Sequence, residues 1–315
     1  MLKNTRQLTE GAVLLAAYAI ILLLTLYVPF LGAIIIFFLP LPFILFTAKY
    51  NFKGILVFLG AAVVISIIIS GIWGIVYLLL FGATGAVMGY LIQKNKSRPF
   101  ILLISTLTFL LSTVALYAIS VGVFHMNFIQ QFNDSVNESL KITNGMLKGM
   151  GKGSQVDKVT KLYKEMIVAI KTIFPSLLVL SSLFTVYILQ LINFPILKRL
   201  GITISAGKPF RELTLPRSLL WYYIIAMGAN LIFHPDAGTY WHAVVINLFY
   251  VLSILMFLQG LFVLYYLFHK RSISKGFQII VTILIFMAPK FLYVVSLLGI
   301  MDLGFDFRKR RENKQ

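Results

Sequence analysis

The stretch that decides the fold runs from residue 54 to residue 92 and reads GILVFLGAAVVISIIISGIWGIVYLLLFGATGAVMGYLI. It contains no Asp, Glu, Lys or Arg. A helix that crosses a membrane needs roughly 20 consecutive apolar residues, so this stretch is long enough for two helices divided near Gly71. We therefore predict spans over residues 54–70 and 72–92.

The composition of the whole chain agrees with a membrane protein. Of its 315 residues 59% are hydrophobic and 12% are charged, and the mean hydropathy is +0.92. Soluble domains carry roughly 25% charged residues, so this chain favours lipid over water as its solvent. A soluble enzyme is therefore not supported.

The charge is strongly basic, with 28 Lys and Arg against 10 Asp and Glu. In a soluble protein this excess would suggest a nucleic-acid partner. In a membrane protein, basic residues collect in cytoplasmic loops and contact anionic headgroups, so we expect membrane lipid and no nucleic acid. The absence of cysteine excludes disulfides and thiolate sites.

The same length criterion predicts further spans over residues 11–28, 31–48, 99–124, 168–193, 217–234 and 242–268. The first is expected to remain uncleaved, because no small-residue cleavage site follows it. The predicted fold is an all-α integral membrane protein, a polytopic helical bundle of about eight full spans. We expect a first membrane bundle over residues 1–193, and additional helices with a basic tail over residues 194–315.

The last apolar stretch, residues 277–300, is interrupted by Pro289 and Lys290. Neither half is long enough to cross at about 1.5 Å per residue, so we predict a broken hairpin that re-enters the membrane. The alternative is a ninth span, which would deliver the basic residues 308–311 to the outer face.

The distribution of basic residues predicts the orientation. The three short loops near residues 29–31, 71 and 235–241 carry no Lys or Arg. The alternate segments carry fifteen: Lys3, Arg6, Lys49, Lys53, Lys94, Lys96, Arg98, Lys198, Arg199, Lys208, Arg211, Arg217, Lys270, Arg271 and Lys275. The positive-inside rule then places both termini in the cytoplasm of a bacterial cell membrane.

Residues 125–167 differ from the spans. Apolar residues recur there at helical spacing on either side of a glycine-rich break at residues 149–154. The pattern predicts an amphipathic helical hairpin on the extracellular surface. The glycines do not indicate a phosphate loop, because no strand precedes them.

Two sets of small residues indicate close helix packing or docking of a partner. One lies on the fourth predicted span, and the other lies on the first span. These residues are Gly71, Gly74, Gly82, Gly85 and Gly89, and Ala12 and Ala16.

A polar patch at residues 230–242 is the candidate ligand-binding site. Asn230 and His234 share a helix face, and Asp236 and His242 could converge with them across the turn. Metal, an organic ligand and a solvated turn are the alternatives. Because the spacing matches no zinc motif, we expect no metal and no other cofactor.

Buried amides are expected to join helices by hydrogen bonds: Gln190, Asn193, Asn230, Asn247 and Gln259. Lys290 is expected either to reach an interface or to pair with a carboxylate such as Asp302. Because no known catalytic motif is present, we expect a protein that is not an enzyme.

Several segments together resemble the YybS-like bacterial membrane proteins that carry the DUF2232 domain. These segments are residues 8–12, 39–42, 247–260, 298–302 and 305–308. The resemblance covers essentially the whole chain. It implies a multi-pass membrane protein and supplies no activity, because the family has none assigned.

The first six predicted spans also resemble, more distantly, the substrate-binding S components of energy-coupling-factor transporters and the rod-shape protein MreD. In S components an Ala-x-x-x-Ala face on the first helix docks on a coupling subunit linked to ATPases. The resemblance implies that role for Ala12 and Ala16. Two features depart from it: this chain continues for more than 100 residues beyond Asn193, and its first external loop is almost absent.

Two functions follow from these observations. The first is small-molecule binding related to transport, as in an S component. The second is a non-catalytic membrane scaffold that recruits other membrane proteins. A cavity between the first six helices would favour binding, and a filled interior would favour the scaffold.

Overall fold

The structure is a computed structural model that describes residues 2–125, 128–151, 153–205, 207, 209–233, 239–306 and 308. In these residues the regular structure is helical throughout, which confirms the all-α class. The α-helices are α1 (Leu2–Tyr27), α2 (Gly32–Ile35), α3 (Pro40–Lys49), α4 (Phe52–Ser70), α5 (Ile72–Tyr77), α6 (Ala83–Gln93), α7 (Arg98–Gly122), α8 (Phe128–Gly149), α9 (Val156–Arg199), α10 (Ser218–Phe233), α11 (Tyr240–Lys270), α12 (Lys275–Met287) and α13 (Pro289–Phe305).

Seven helical stretches within the described residues are long and apolar enough to cross a membrane. They include every predicted span except residues 217–234. The stretches are Thr5–Tyr27, Gly32–Lys49, Phe52–Ser70, Ile72–Gln93, Arg98–Gly122, Gly153–Arg199 and Tyr240–Lys270.

The predicted span at residues 217–234 corresponds to α10, which is described over 16 residues. At about 1.5 Å per residue this part is about 24 Å long, so it is not among the seven stretches. Residues 234–238, which follow it, lie outside the described residues.

The C-terminal hairpin is broken where the sequence predicted. Ala288 is extended, with φ −120° and ψ 106°, and α12 and α13 meet there at a bend of 112°. They have 13 and 17 residues, so neither crosses a hydrocarbon core alone. The pair therefore forms either a broken span or a re-entrant loop.

The predicted amphipathic hairpin corresponds to α8 and the first part of α9. Leu140 of α8 is buried, and Asn144 Nδ2 donates to Thr160 Oγ1 at 3.1 Å. α9 then continues without interruption for 44 residues, about 66 Å, and contains the predicted span 168–193.

The chain forms two compact units. Unit 1 comprises residues 1–130 and 178–207, and unit 2 comprises residues 131–177 and 208–315. The sequence analysis grouped residues 125–167 with the first 193, whereas most of that segment falls in unit 2.

Unit 1 is built around α3, whose side chains Phe43 and Ile44 have no exposed surface. Phe43 packs edge-on against Tyr18 and Phe58, with ring centroids 4.9 and 5.5 Å away. The Tyr18 and Ser66 hydroxyls are hydrogen-bonded at 2.7 Å. Aromatic side chains therefore fill the interior around α3.

Glycines allow neighbouring helices to approach α3 and α4. A Cβ built on Gly85 would lie 2.7 Å from the carbonyl oxygen of Pro40, and one on Gly89 would lie 2.5 Å from that of Ile44. Gly82 faces Phe43, and Gly74 faces the backbone of Ser66. These four glycines thus pack against other helices of unit 1.

Gly71 does not belong to that set. It has a positive φ of 59°, ends α4 and has no neighbour within 4 Å of a built Cβ. Its role is to permit the turn before α5, because L-residues rarely adopt that backbone conformation.

Candidate functional site: a groove between α9 and α11

The predicted polar patch is only partly described. His234 and Asp236 lie outside the described residues. Asn230 is half-buried near the end of α10, and His242 is half-buried in the first turn of α11. Among the described residues, no group of three His, Cys, Asp or Glu is placed to hold a metal ion.

His242 instead contributes to a groove in unit 2. The groove is largely open, has a volume of about 520 Å³ and lies between the first half of α9 and the first third of α11. Small-molecule sites commonly have volumes of about 300–1,000 Å³. Its walls are formed by Lys164, Glu165, Val168, Ala169, Thr172, Ile173, His242, Ile246 and Tyr250.

The groove is polar at one end and apolar at the other. Along α9 its lining changes from Lys164 and Glu165 to Val168, and ends at Ile173. From Lys164 to Ile173 the helix rises by about 14 Å. A molecule with one charged and one apolar end therefore matches this order.

Asn247 joins the two helices beside the groove. Its Oδ1 accepts a hydrogen bond from the Ser176 backbone N–H at 2.8 Å, and its Nδ2 donates to the Thr172 carbonyl at 2.5 Å. In a regular α-helix these two backbone groups bond to each other. One amide side chain thus satisfies both groups of α9.

Pro175 lies inside α9, directly before Ser176. Proline has no N–H to donate, and its ring clashes with the carbonyl four residues earlier, which weakens the ladder. The Ser176 hydroxyl also bonds Asn247 Oδ1, at 2.6 Å. Such side-chain bonds are how a membrane helix accommodates an internal proline.

The charges around the groove are mainly positive. Residues 160–175 of α9 contain Lys161, Lys164 and Lys171 against one acid, Glu165. Glu165 is 4.0 Å from Lys161, and both side chains are exposed, so this pair contributes little stability. Residues 242–250 of α11 contain no Asp, Glu, Lys or Arg.

Exposed aromatic residues mark the end of α11 next to the groove. Tyr240 is 86% exposed and Trp241 is 54% exposed. Tyr and Trp are enriched at the level of lipid headgroups. These side chains predict a position at the membrane interface for the start of α11, next to His242 and the groove that it lines.

A second polar cluster in unit 2 is fully occupied by internal bonds. Asp302 Oδ2 accepts from Gln259 Nε2 at 2.7 Å and from Arg308 Nε at 3.0 Å. Arg308 also donates to the carbonyls of Arg211 and Leu213 at 3.0 and 2.8 Å. We therefore assign the cluster to structure, since its charges and amide are already bonded.

Close helix contact brings that cluster together. A Cβ on Gly299 would meet the Met256 carbonyl, and one on Gly260 would meet the Val295 carbonyl. Gly299 of α13 lies opposite Met256 of α11, and the earlier residue Val295 lies opposite the later residue Gly260. The two helices are therefore antiparallel here. The absence of side chains at these glycines lets the helices approach closely enough for Gln259 to bond Asp302.

Of the two alternatives expected for Lys290, pairing with Asp302 does not occur. Asp302 pairs with Arg308, and Lys290 is exposed. Arg308 lies close to Asp302 because the chain reverses after α13, with Asp306 in the left-handed region at φ 50°. Arg217 pairs with Asp306 at the same turn.

The predicted amides do join helices. Asn193 Nδ2 donates to the Phe37 carbonyl at 2.9 Å within unit 1. Asn247 joins α11 to α9, and Gln259 joins α11 to α13. The expectation is confirmed for these three residues. It is not confirmed for Gln190, whose Nε2 is buried without a hydrogen-bond partner among the described residues.

Ala12 and Ala16 are exposed on α1. The opposite face of the helix carries Gly11 and Tyr18, which are buried against other helices of unit 1. A surface of small residues is thus available for contact with lipid or another helix.

Sequence reasoning missed the groove itself. Val168, Thr172 and Ile246 carry no motif, and only their position across two helices makes them neighbours. The available signals were Pro175 in a span and a polar Asn247 in another.

Comparison with known proteins identifies the family. The chain is 32% identical over 311 residues to the "Uncharacterized protein YybS" of Bacillus subtilis (strain 168), covering 98% of this chain and 99% of that protein. No solved structure matches the chain, so the resemblance to S components and MreD gains no support. Residues 16–303 match the family described as "Predicted membrane protein (DUF2232)". This polytopic helical membrane protein therefore belongs to the DUF2232 family.

Proposed function

We propose that this protein binds a small amphipathic molecule in the groove between α9 and α11, as a non-catalytic binding protein with a role related to transport. The observation that carries the proposal is the groove of about 520 Å³ with a charged end and an apolar end. The sequence predicted a ligand site at Asn230, His234, Asp236 and His242, and of these His242 lines this groove.

The local structure supports a persistent groove. Asn247 bonds the backbone of α9 at Thr172 and Ser176, and these contacts hold the two walls together. A site on helices that are already joined loses less entropy on binding than a site that must first form.

Retention of an acyl ligand tests the proposal. The purified protein is mixed with lauric acid, and bound molecules are counted by native mass spectrometry after detergent removal in the gas phase. Ile246→Trp places a large side chain in the groove and is expected to abolish retention, whereas wild type keeps one bound molecule.

Leu248→Trp is the matched control. Leu248 is on the same helix, is 48% exposed and does not line the groove, so this variant should bind like wild type. Size-exclusion profiles establish that both variants are folded. Equal retention by all three proteins would refute the proposed site.

A scaffold is the second candidate, and two observations favour it. Ala12 and Ala16 present an exposed small face, and aromatic side chains fill the interior around α3. On this proposal a partner membrane protein, or a coupling subunit linked to an ATPase, packs against α1. Ala12→Trp and Ala16→Trp should then abolish co-purification of that partner without changing thermal stability in detergent, and unfolding of both variants would contradict it.

A further inference from the structure

We infer that the groove selects an anionic glycerophospholipid from the surrounding membrane, with the phosphate near Lys164 and an acyl chain along Ile173, Ile246 and Tyr250. This inference rests on the proposed function and specifies its ligand class. The proposed function and this inference can fail separately. Binding is tested at Ile246, whereas selection of an anionic lipid is tested at Lys164.

Charge is the first argument for an anionic headgroup. Two charged residues line the groove, Lys164 and Glu165, and Glu165 Oε1 also lies 4.0 Å from Lys161, which is outside the lining. Lys171 adds a further positive charge to the same segment of α9, and the facing part of α11 has no acid. The Lys164 side chain lines the groove directly. An ammonium group near a membrane surface attracts anionic lipid with about 1 kcal/mol per basic residue.

Position is the second argument, and it favours a lipid over a soluble anion. Exposed Tyr240 and Trp241 place the start of α11 at headgroup level. Lys164 precedes the predicted span 168–193, whereas Ile173 lies inside it. The charged end of the groove thus lies on the aqueous side, and its apolar end extends toward the hydrocarbon.

The shape of the lining is the third argument. The apolar wall combines Val168, Ala169 and Ile173 of α9 with Ile246 of α11. Small and branched side chains leave space that a flexible acyl chain fills in van der Waals contact, which is the gain available to a chain that comes from the bilayer. A free phosphate would gain nothing from this wall.

The test is a competition between two lipids with identical dioleoyl chains, phosphatidylglycerol and phosphatidylcholine. Equal amounts are added to the purified protein, and native mass spectrometry measures the ratio of the two adducts. Wild type is expected to retain mainly phosphatidylglycerol. Lys164→Gln is expected to lower the ratio about fivefold, which corresponds to ~1 kcal/mol.

Lys158→Gln is the control for general charge, because Lys158 is an exposed lysine on the same helix outside the groove. Its adduct ratio should equal that of wild type. Glycerol 3-phosphate, which has the anion without the chain, should not displace the lipid.

Each failure has a separate meaning. Equal retention of the two lipids by wild type, or equal effects of Lys158→Gln and Lys164→Gln, would overturn the inference. If Ile246→Trp still abolished retention in that case, the proposed binding function would stand. Displacement by glycerol 3-phosphate at equal concentration would assign the site to a soluble anion instead.

Discussion

Gly85 provides the most direct test of how unit 1 is packed. A Cβ at this position would lie 2.7 Å from the Pro40 carbonyl oxygen and 3.0 Å from the Pro40 Cα. Both atoms belong to the backbone, so no side-chain rotation relieves the contact. Gly85→Ala therefore requires α6 to move away from α3.

The expected loss of unfolding free energy follows from that displacement. A carbon normally stays at least about 3.4 Å from such an oxygen, so the helices must separate by several tenths of an ångström and weaken their other contacts. Overpacking of this kind costs about 1–3 kcal/mol, and Gly85→Leu should exceed that range.

Gly60 supplies the control. It is also a glycine within an apolar helix of unit 1, but nothing lies within 4 Å of a built Cβ. Gly60→Ala should be neutral or stabilising by up to about 1 kcal/mol, because alanine has the higher helix propensity.

The assay is reversible unfolding in mixed micelles with increasing dodecyl sulfate, followed by tryptophan fluorescence. The two alanine variants should differ by at least about 2 kcal/mol in unfolding free energy. Equal stabilities would show that α3 and α6 are not in close contact and would refute the packing described for Gly85.

Three further predictions concern unit 2 and the orientation of the chain. Asn247→Leu should lower the unfolding free energy by about 1–3 kcal/mol in the same assay, because it removes the side-chain hydrogen bonds that join α11 to Thr172 and Ser176 of α9; an unchanged value would contradict the bridge. Arg308→Ala should cost about 3–5 kcal/mol by leaving Asp302 buried without its cation, and Asp302→Asn should restore part of that loss in the double variant. A cysteine at Ser154 should react with an impermeant thiol reagent in intact cells and one at Asn313 should not; labelling of both positions would restore nine full spans.

The spans could be predicted from the sequence because the bilayer acts on each segment separately. A run of about 20 apolar residues is sufficient for a helix, since backbone groups in lipid must bond within their own segment. The break at Pro289 could be predicted for the same reason, because proline removes a backbone donor wherever it occurs.

The sequence could predict that helices pack closely, but it could not predict which helices are in contact. The glycine spacing indicated a close contact, but the sequence did not show that Gly85 faces Pro40 or that Gly71 forms a turn. A small residue shows where another backbone can approach. Which helix approaches depends on how all of them are arranged.

The groove and the Asp302 cluster were decided by the tertiary structure alone. Asn247 bonds Ser176, 71 positions away, and Arg308 bonds Arg211, 97 positions away. Composition and periodicity determine that a helix forms and which face is apolar. The partner of a polar side chain depends on the rotation, tilt and depth of two helices relative to each other, and these are set by the sum of many weak packing contacts.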